Sequence, residues 1–190
     1  MRRGLFGGTF DPPHLGHLVM ADAALDQLDV ADVAWVTAGD PWQKAGSTVA
    51  PADDRLQMTA LAVDGMDGML IDDSEVRRDG PTYTVDTLEA WQADGVTAVL
   101  VVGADAAAGI PGWHRAEAFD DVEIAVAPRP GTTHADVEAA LGRTVIWLDT
   151  PELAISATDL RRRFAVGLST RHLVPDPVRA YAISRQLYDR

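Results

Sequence analysis

Residues 7–17 read Gly-Gly-Thr-Phe-Asp-Pro-Pro-His-Leu-Gly-His and follow a short apolar pair, Leu5-Phe6. Apolar side chains then recur at helical spacing, which predicts a helix over residues 15–28. The adjacent glycines let backbone amides approach a ligand closely, and the start of a helix adds a partial positive charge. The stretch therefore predicts a strand, an anion-binding turn and a helix in succession.

Two imidazoles lie at the start of this predicted helix. His14 and His17 are three residues apart, so on the first turn both project the same way and can donate to phosphate oxygens. Gly16, between them, is a poor helix residue that costs about 1 kcal/mol relative to Ala, so we expect a close contact there. A zinc site is disfavoured because the chain has no Cys and no His-Glu-x-x-His pattern. We expect no metal site built by the protein alone.

Composition limits the class of protein. With 190 residues, 47% hydrophobic and 24% charged, the chain fits one compact domain spanning residues 1–190. Sixteen basic and 29 acidic residues give a net charge of −13, which argues against nucleic acid or an anionic membrane as the main partner. The N-terminal residues do not form the apolar stretch of a secretory signal, and no apolar run approaches about 18 residues, so we expect a cytoplasmic protein. Because the chain has no Cys, we expect neither disulfides nor a thiolate nucleophile.

Apolar runs rich in β-forming residues alternate with helical patterns along the chain. The predicted strands are 5–6, 33–36, 69–71, 96–102, 122–126 and 145–148. The predicted helices are 15–28, 54–63, 85–92, 135–141, 158–166 and 177–188. This order predicts a doubly wound, Rossmann-like α/β fold: a parallel sheet with helices on both faces and a small C-terminal helical segment. In such folds ligands bind beyond the carboxyl ends of the strands, where the first predicted strand delivers its glycines.

The opening stretch resembles the signature of the nucleotidyltransferase superfamily that carries a (T/H)xGH motif, here His14-Leu15-Gly16-His17. In that superfamily the histidines bind the triphosphate of a nucleotide and stabilise the transition state of nucleotidyl transfer. The resemblance implies these roles for His14 and His17. It also implies that the backbone around the preceding turn lines the nucleotide site, at Gly7, Gly8, Thr9 and Phe10.

The loop after the second predicted strand carries Lys44, the only lysine of the chain. Such a residue is either a solvated loop charge or an ammonium that pairs with phosphates. The loop is similar to one in pyridine-nucleotide adenylyltransferases whose lysine meets the substrate phosphates. Many bacterial members read Pro-Pro-His-Lys where this chain reads Pro41-Trp42-Gln43-Lys44. The resemblance implies that Lys44 contacts the mononucleotide and assists catalysis, and it leaves the contacts of Trp42 and Gln43 open.

Residues 80–88 read Gly-Pro-Thr-Tyr-Thr-Val-Asp-Thr-Leu, in which Thr84 is a reasonable helix N-cap. The run resembles the Ser-Tyr-Thr-x-Asp-Thr-Leu segment of nicotinate-mononucleotide adenylyltransferases, which helps to recognise the pyridine ring and its carboxylate. The resemblance implies substrate contacts for Tyr83 and Thr84. The amides of a helix start would favour a carboxylate over a neutral carboxamide.

The fourth predicted strand ends in Gly103-Ala104-Asp105, and Trp113 follows in a loop containing Gly and Pro. From chemistry alone, Asp105 is either a helix cap or a contact to ribose or Mg²⁺. Trp113 suits an aromatic platform. The same family has Gly-x-Asp at this point, followed by a Trp that stacks on the pyridine ring. The resemblance thus implies that Gly103 and Asp105 bind ATP and that Trp113 binds the mononucleotide.

Residues 155–161 read Ile-Ser-Ala-Thr-Asp-Leu-Arg and begin another predicted helix. Ser156 or Thr158 can cap it, and hydroxyls, helix amides and the Arg161 guanidinium together predict a second anion site. Arg162 and Arg163 fit a solvated face. The run resembles the family's Ile-Ser-x-Thr-x-(Ile/Leu)-Arg motif, with Ala157 where Ser is common. Because that motif binds the ATP phosphates, the resemblance implies that role for Ser156, Thr158 and Arg161.

Taken together, four motifs in family order resemble bacterial nicotinate-mononucleotide adenylyltransferase over nearly the whole chain. The resemblance implies that ATP and nicotinate mononucleotide react to give deamido-NAD and pyrophosphate, with Mg²⁺ carried by ATP. Catalysis would rest on His14, His17, Lys44 and Arg161. Two alternatives stay open: a transferase of the same fold that uses nicotinamide mononucleotide or phosphopantetheine, and a non-catalytic nucleotide sensor. The sequence also leaves the oligomeric state open, a homo-oligomer included.

Overall fold

Six parallel strands form one sheet in a computed structural model that describes residues 1–41 and 50–189. Their order across the sheet is β3-β2-β1-β4-β5-β6. The strands are β1 (Arg2–Gly8), β2 (Val33–Thr37), β3 (Met69–Asp72), β4 (Thr97–Gly103), β5 (Glu123–Ala127) and β6 (Ile146–Trp147). This is the predicted doubly wound, Rossmann-like arrangement.

Helices cover both faces of the sheet, as predicted. They are α1 (Leu15–Gln27), α2 (Ala52–Val63), α3 (Ser74–Arg77), α4 (Thr84–Ala93), α5 (Ala104–Ala108), α6 (His134–Leu141), α7 (Ala157–Ala165) and α8 (Asp176–Ser184). Two short 3-10 helices, Ile110–Gly112 and Ala116–Phe119, lie between α5 and β5. The short helices α3 and α5 were not predicted, and the last helix ends at Ser184 rather than at residue 188.

The central strands are apolar throughout because each buries both faces. On β2, Val33 and Trp35 pack into one hydrophobic cluster, whereas Ala34 and Val36 pack into another. Helices α1, α2 and α8 cover the first cluster, to which they contribute Ala21, Met58 and Val178. Helices α4 and α6 cover the second cluster, to which they contribute Leu88 and Val137. Strand residues alternate between the two faces, so this division is what a doubly covered parallel sheet requires.

Helix α1 buries mainly small residues, and its Leu18 and Leu25 are partly buried against the same cluster. Leu15 is 39% exposed, and the buried positions are Met20, Ala21, Ala23 and Ala24. Small residues allow the helix to lie close to the sheet. The start of α1, with its imidazoles, is thereby held against the end of β1.

The order of the strands decides where ligands can bind. From β1 the chain adds β2 and β3 on one side and then returns to add β4, β5 and β6 on the other. The carboxyl ends of β1 and β4, Gly8 and Gly103, thus lie at the point where the winding changes direction, which is the usual ligand site of this fold. Within residues 1–41 and 50–189, no helix has the length and apolar character needed to cross a bilayer.

Candidate functional site

Two cavities open at the carboxyl ends of β1 and β4 and share part of their walls. The larger has a volume of about 540 Å³ and the smaller about 200 Å³. The residues that line both cavities are Gly7, Gly8, Thr9, Val102 and Ala106. Ligands in the two cavities would therefore meet over the glycines that end β1.

The residues predicted to bind ATP all line the larger cavity. They are Gly7, Gly8, Thr9, Phe10, His14, His17, Gly103, Asp105, Ser156, Thr158 and Arg161. They come from three separate parts of the chain: the β1–α1 connection, the end of β4 and the start of α7. The fold thus brings together motifs that lie about 150 residues apart, as the hydrogen bond from Arg161 to the Asp11 carbonyl illustrates.

The connection between β1 and α1, residues 9–14, is called the phosphate loop, after the role predicted for it from the sequence. Gly8 is required at its start because a Cβ there would lie 2.7 Å from the ring of Phe10. Phe10 is 2% exposed and has a φ of +48°, so its ring is fixed in the core while its backbone lines the cavity. At Gly7 a Cβ would meet nothing closer than 3.8 Å and would instead occupy cavity space.

The two imidazoles lie at the start of α1, with His17 in its first turn. His14 is the N-cap residue and is 3% exposed, and its ring stacks on that of His17 with centroids 3.7 Å apart. The Nδ1 of His17 accepts a hydrogen bond from the His14 amide at 3.1 Å. In a neutral imidazole the proton is then on Nε2, which makes that nitrogen a donor. Phe10 packs edge-on against the His17 ring at 5.1 Å and fixes its plane.

The glycine between the histidines has the predicted close contact. A Cβ on Gly16 would lie 3.2 Å from Cε1 and Nδ1 of the His14 ring. That separation is tighter than an ordinary van der Waals contact, so a larger residue would push the imidazole away from its position. Gly16 therefore serves the placement of His14.

The start of α7 lies against the phosphate loop. Ser156 is its N-cap, and the Ser156 Oγ accepts a hydrogen bond from the Asp159 amide at 3.1 Å. Arg161 donates to the Asp11 carbonyl at 2.8 Å and to the Thr158 Oγ1 at 3.2 Å. These bonds use some of the five N–H donors of the Arg161 guanidinium and hold the group at the wall of the larger cavity. Arg162 is more exposed than Arg161 and pairs with Asp159.

Asp105 also lines the larger cavity. The alternative that it caps a helix is wrong, because α5 begins at Ala104 with Gly103 as its N-cap. The Asp105 carboxylate accepts a hydrogen bond from the Thr132 hydroxyl at 2.6 Å and lies 3.4 Å from the guanidinium of Arg129. Its side chain is 61% exposed, so it remains available to a ligand.

The smaller cavity is lined by the described residues that were predicted to contact the mononucleotide, Tyr83, Thr84 and Trp113. Trp113 packs edge-on against Phe119, with ring centroids 5.5 Å apart, and the Tyr83 ring lies 4.2 Å from that of His114. The prediction that Thr84 caps α4 is wrong: Tyr83 is the N-cap and Thr84 the first helical residue. The amides of this helix start nevertheless lie at the cavity. Lys44, Trp42 and Gln43 lie outside the described residues.

Three further charged residues line the cavities and were given no role by sequence reasoning: Asp11 and Arg129 at the larger cavity and Glu75 at the smaller. Arg129 follows β5 and lines the larger cavity. Its position directly after a predicted strand, within Pro-Arg-Pro-Gly, is a signal that could have identified it. Glu75 of α3 lines the smaller cavity, is 4% exposed and accepts a hydrogen bond from the Thr87 hydroxyl at 3.0 Å. Burial raises the pKa of the Glu75 carboxyl, which favours its neutral form beside an anionic ligand. No local pattern marked Glu75.

Comparison with known proteins identifies a matching family and similar sequences from other organisms. Residues 5–163 match the family described as cytidylyltransferase-like. A probable nicotinate-nucleotide adenylyltransferase from Bordetella petrii is 41% identical over 194 residues, which cover 98% of this chain and 98% of the relative. A protein of the same description from Dehalococcoides mccartyi is 34% identical over 200 residues, covering 100% of this chain and 98% of the relative.

A solved structure has the same fold. The nicotinic acid mononucleotide adenylyltransferase of Plasmodium falciparum, complexed with NaAD, aligns with a TM-score of 0.83 at 16% sequence identity. The alignment covers 99% of this chain and 97% of that one. The likeness at this level of identity concerns the fold.

Proposed function

The chain belongs to the cytidylyltransferase-like family and to the nicotinate-nucleotide adenylyltransferases, and on that premise we propose how its two cavities carry out the reaction. It transfers the adenylyl group of ATP to nicotinate mononucleotide, giving deamido-NAD and pyrophosphate. The observation that carries this proposal is the shared wall at Gly7, Gly8 and Thr9. A triphosphate in the larger cavity and a mononucleotide in the smaller would bring their phosphates together there.

The reaction requires alignment and charge stabilisation rather than a general base. The second pKa of a phosphate monoester is about 6, so the attacking phosphate is largely ionised at neutral pH. It attacks the α-phosphorus of ATP, a new P–O bond forms, and pyrophosphate leaves with the electron pair of the broken bond. The protein must hold two anions in line and stabilise the negative charge that grows on the α-phosphoryl oxygens and the leaving group.

We assign the stabilising donors to the larger cavity. His17, with its Nδ1 occupied by the His14 amide, donates from Nε2, and His14 is stacked beside it. Arg161 supplies a guanidinium from the start of α7. The remaining ATP contacts are assigned to the glycine-rich backbone and to the Ser156 and Thr158 hydroxyls. The Asp105 carboxylate is assigned to the ribose of ATP or to the Mg²⁺ that ATP carries. Lys44 keeps its proposed role toward the phosphates on the strength of the sequence alone.

The smaller cavity suits a pyridine ring that carries a carboxylate. The indole of Trp113 offers a flat apolar wall, and the start of α4 at Thr84 offers backbone amides and a positive helix end. Burial raises the pKa of the Glu75 carboxyl, which weakens its repulsion of the ligand's carboxylate. These features support nicotinate over nicotinamide as the base of the acceptor.

Mg²⁺ is proposed to arrive bound to ATP. Within the described ranges 1–41 and 50–189 no group of three or more His, Asp or Glu side chains could hold a metal ion. The proposal rests on the chemistry of Mg²⁺, which usually keeps several waters and binds through substrate phosphates and one or two carboxylates. Asp105, exposed at the larger cavity, is the carboxylate suited to such a contact. When bound, the ion would neutralise part of the triphosphate charge.

The remaining expectations belong to the same proposal. We propose that residues 1–190 act as one nucleotidyltransferase domain in the cytoplasm, with ATP and nicotinate mononucleotide as its partners. The net charge of −13 supports the expectation that nucleic acid and anionic membranes are not partners. A homo-oligomer remains compatible with the sequence.

Pyrophosphate release tests the choice of acceptor. The protein is incubated with ATP, Mg²⁺ and, in turn, nicotinate mononucleotide, nicotinamide mononucleotide or phosphopantetheine. We expect the highest kcat/KM with nicotinate mononucleotide. Preference for one of the other acceptors would reassign the substrate, and no release with any of them would favour a nucleotide sensor.

Replacement of Trp113 by alanine should mainly weaken binding of the mononucleotide. Loss of an aromatic stacking partner costs about 1–3 kcal/mol, so the KM for nicotinate mononucleotide should rise about tenfold or more. The KM for ATP should stay within about twofold, because Trp113 does not line the larger cavity. Steady-state kinetics with each substrate varied in turn measure both values.

Trp147→Ala is the matched control for this variant. Trp147 stacks on His134 at 3.6 Å and lines neither the larger nor the smaller cavity, so both KM values should stay near those of the unmodified chain. An equal rise of both KM values in Trp113→Ala would argue against stacking on the pyridine ring.

Replacement of Arg129 by alanine should weaken ATP binding. The variant removes one guanidinium from the larger cavity and leaves Asp105 without its ion-pair partner. Because a hydrogen bond to a charged group contributes about 1.5–3 kcal/mol, the KM for ATP should rise about tenfold or more. Arg171→Ala makes the same charge change at an exposed residue outside both cavities. If the two variants share the same KM for ATP, Arg129 is not an ATP contact.

A further inference from the structure

Arg55 is a buried cation that no motif explains. It lies in the first turn of α2 and is 1% exposed. Burial lowers the pKa of its guanidinium, because removing a charge from water is costly unless hydrogen bonds compensate for it. A buried position on the core side of a helix would ordinarily be filled by an apolar residue, so the contacts of Arg55 require an explanation.

The Arg55 guanidinium donates to carbonyl oxygens from separate segments of the backbone. Its Nη1 donates to the carbonyls of Thr9, at 2.9 Å, and Ala38, and its Nη2 donates to Gly39 at 2.8 Å. Its Nε donates to Ala50 at 3.1 Å. Thr9 belongs to the phosphate loop, Ala38 and Gly39 follow β2, and Ala50 precedes α2. One planar side chain thus fixes the distances between the segment that leaves β1, the segment that leaves β2 and the segment that enters α2.

A second buried group, the carboxylate of Asp11, also binds the segment that enters α2. The Asp11 carboxylate, 3% exposed, accepts hydrogen bonds from the Ala50 amide at 3.3 Å and from the Tyr188 hydroxyl at 2.9 Å. The Asp11 carbonyl also accepts from Arg161. Ala50 is therefore bound through both its carbonyl and its amide, and the phosphate loop is held at Thr9 and Asp11. These bonds tie the phosphate loop to the segment that enters α2, to Tyr188 and to α7.

The segments that Arg55 holds are walls of the proposed site. Thr9 belongs to the wall shared by both cavities, and Ala38 lines the smaller one. The side chains that face a mononucleotide base, Tyr83 and Trp113, receive none of the hydrogen bonds that Arg55 donates. Displacement of the Arg55 contacts would therefore act first on the walls at Thr9 and Ala38, whereas the rings of Tyr83 and Trp113 have contacts of their own with His114 and Phe119.

We propose that Arg55 is a positioning residue for adenylyl transfer, which fixes the phosphate loop relative to the end of β2 so that the two substrates meet in line. The inference rests on the proposed function, since it needs two phosphates to align at the shared wall. Arg55 touches neither substrate and acts through the backbone of Thr9, Ala38 and Gly39. A displacement of about 1 Å in such a framework can lower a rate by about a hundredfold.

The test is Arg55→Lys, which retains the positive charge but replaces the planar fork of five donors by a single ammonium. We expect kcat to fall about 10- to 100-fold, because alignment is lost. The dissociation constant of nicotinate mononucleotide, measured by the change in Trp fluorescence, should stay within about threefold because Trp113 keeps its place. Arg55→Gln, which leaves no buried charge, is measured in parallel in case the lysine variant fails to fold.

Val63→Ala is the matched control, since Val63 is a buried residue at the far end of the same helix and lines neither cavity. Circular dichroism gives the folded fraction and Tm of each variant, and all assays are made well below the lowest Tm. The control should keep its kcat at a similar Tm. The inference is overturned if the Arg55 variants keep kcat within threefold of the unmodified chain, or if Val63→Ala loses as much kcat as they do. It is also overturned if binding of the mononucleotide weakens in proportion to kcat, or if neither Arg55 variant folds. Activity of the unmodified chain in the same assay separates failure of this inference from failure of the proposed function.

Discussion

Replacement of His17 by alanine is expected to lower kcat by about two orders of magnitude or more, the scale of a lost transition-state donor. The structure supplies the reason for this effect. The His14 amide donates to the Nδ1 of His17, so Nε2 carries the proton, and Phe10 packs edge-on against the ring. A donor fixed in this way needs no reorganisation when negative charge grows on the phosphoryl oxygens.

The fold should survive this substitution, because the bond that it removes is one helix-capping interaction with a cost of about 1 kcal/mol. His17→Gln separates capping from catalysis, since Gln at the third helical position can still accept from the N-cap amide. We expect it to be nearly as inactive as the alanine variant. His134→Ala, outside both cavities, is the control for loss of an imidazole. Turnover within threefold of normal in His17→Ala would remove His17 from the catalytic assignment.

Replacement of Arg161 by alanine should lower kcat/KM for ATP by about a hundredfold, equivalent to about 2.7 kcal/mol. Charge-assisted hydrogen bonds from a guanidinium to phosphate are among the stronger polar contacts, and this one is pre-positioned. Its bonds to the Asp11 carbonyl and the Thr158 hydroxyl hold it in place before ATP binds. Its loss also leaves the Asp11 carboxylate without the cation that lies 3.7 Å away.

Arg162→Ala is the control for this prediction. Arg162 is the next residue on the same helix, its side chain is 61% exposed, and it pairs with Asp159 outside the cavity. The control removes the same charge and should leave kcat/KM within about twofold, as expected for an exposed ion pair. Equal losses in the two variants would mean that net charge, rather than the placement of Arg161, sets the affinity for ATP.

Strand positions were predictable from the sequence because doubly covered strands are apolar throughout. The runs at 33–36 and 96–102 match β2 and β4 to within one residue at each end. The helices α3 and α5 span only 4 and 5 residues, too few for a periodic pattern to develop. The last helix ends early because Gln186 adopts a φ of +52°, and Tyr188 then turns into the core. Such an ending depends on tertiary packing.

The site residues were predictable where they belong to a contiguous motif. They were less predictable where the site is assembled from residues distant in sequence. The His14–His17 pair and the Ser156–Arg161 run were readable as anion sites, and the structure brings them to one cavity. Arg55 and Glu75 were not found, because neither belongs to a recognisable motif and each stands among other charged residues of a helix start. What distinguishes them is burial and the identity of their partners, and both arise from chain segments distant in sequence. The prediction put the N-cap of α4 at Thr84, one residue after the actual N-cap, Tyr83, because capping depends on backbone angles.

Transfer of label from ATP is the most direct test of the central claim, that two phosphates meet over the glycines of β1 and that attack occurs at the α-phosphorus. The unmodified chain is incubated with nicotinate mononucleotide and Mg²⁺, and with ATP labelled with ³²P at either the α- or the γ-phosphate. We predict that the α-label enters deamido-NAD while the γ-label appears only in pyrophosphate. Entry of the γ-label into the mononucleotide, or no transfer of the α-label, would contradict the account.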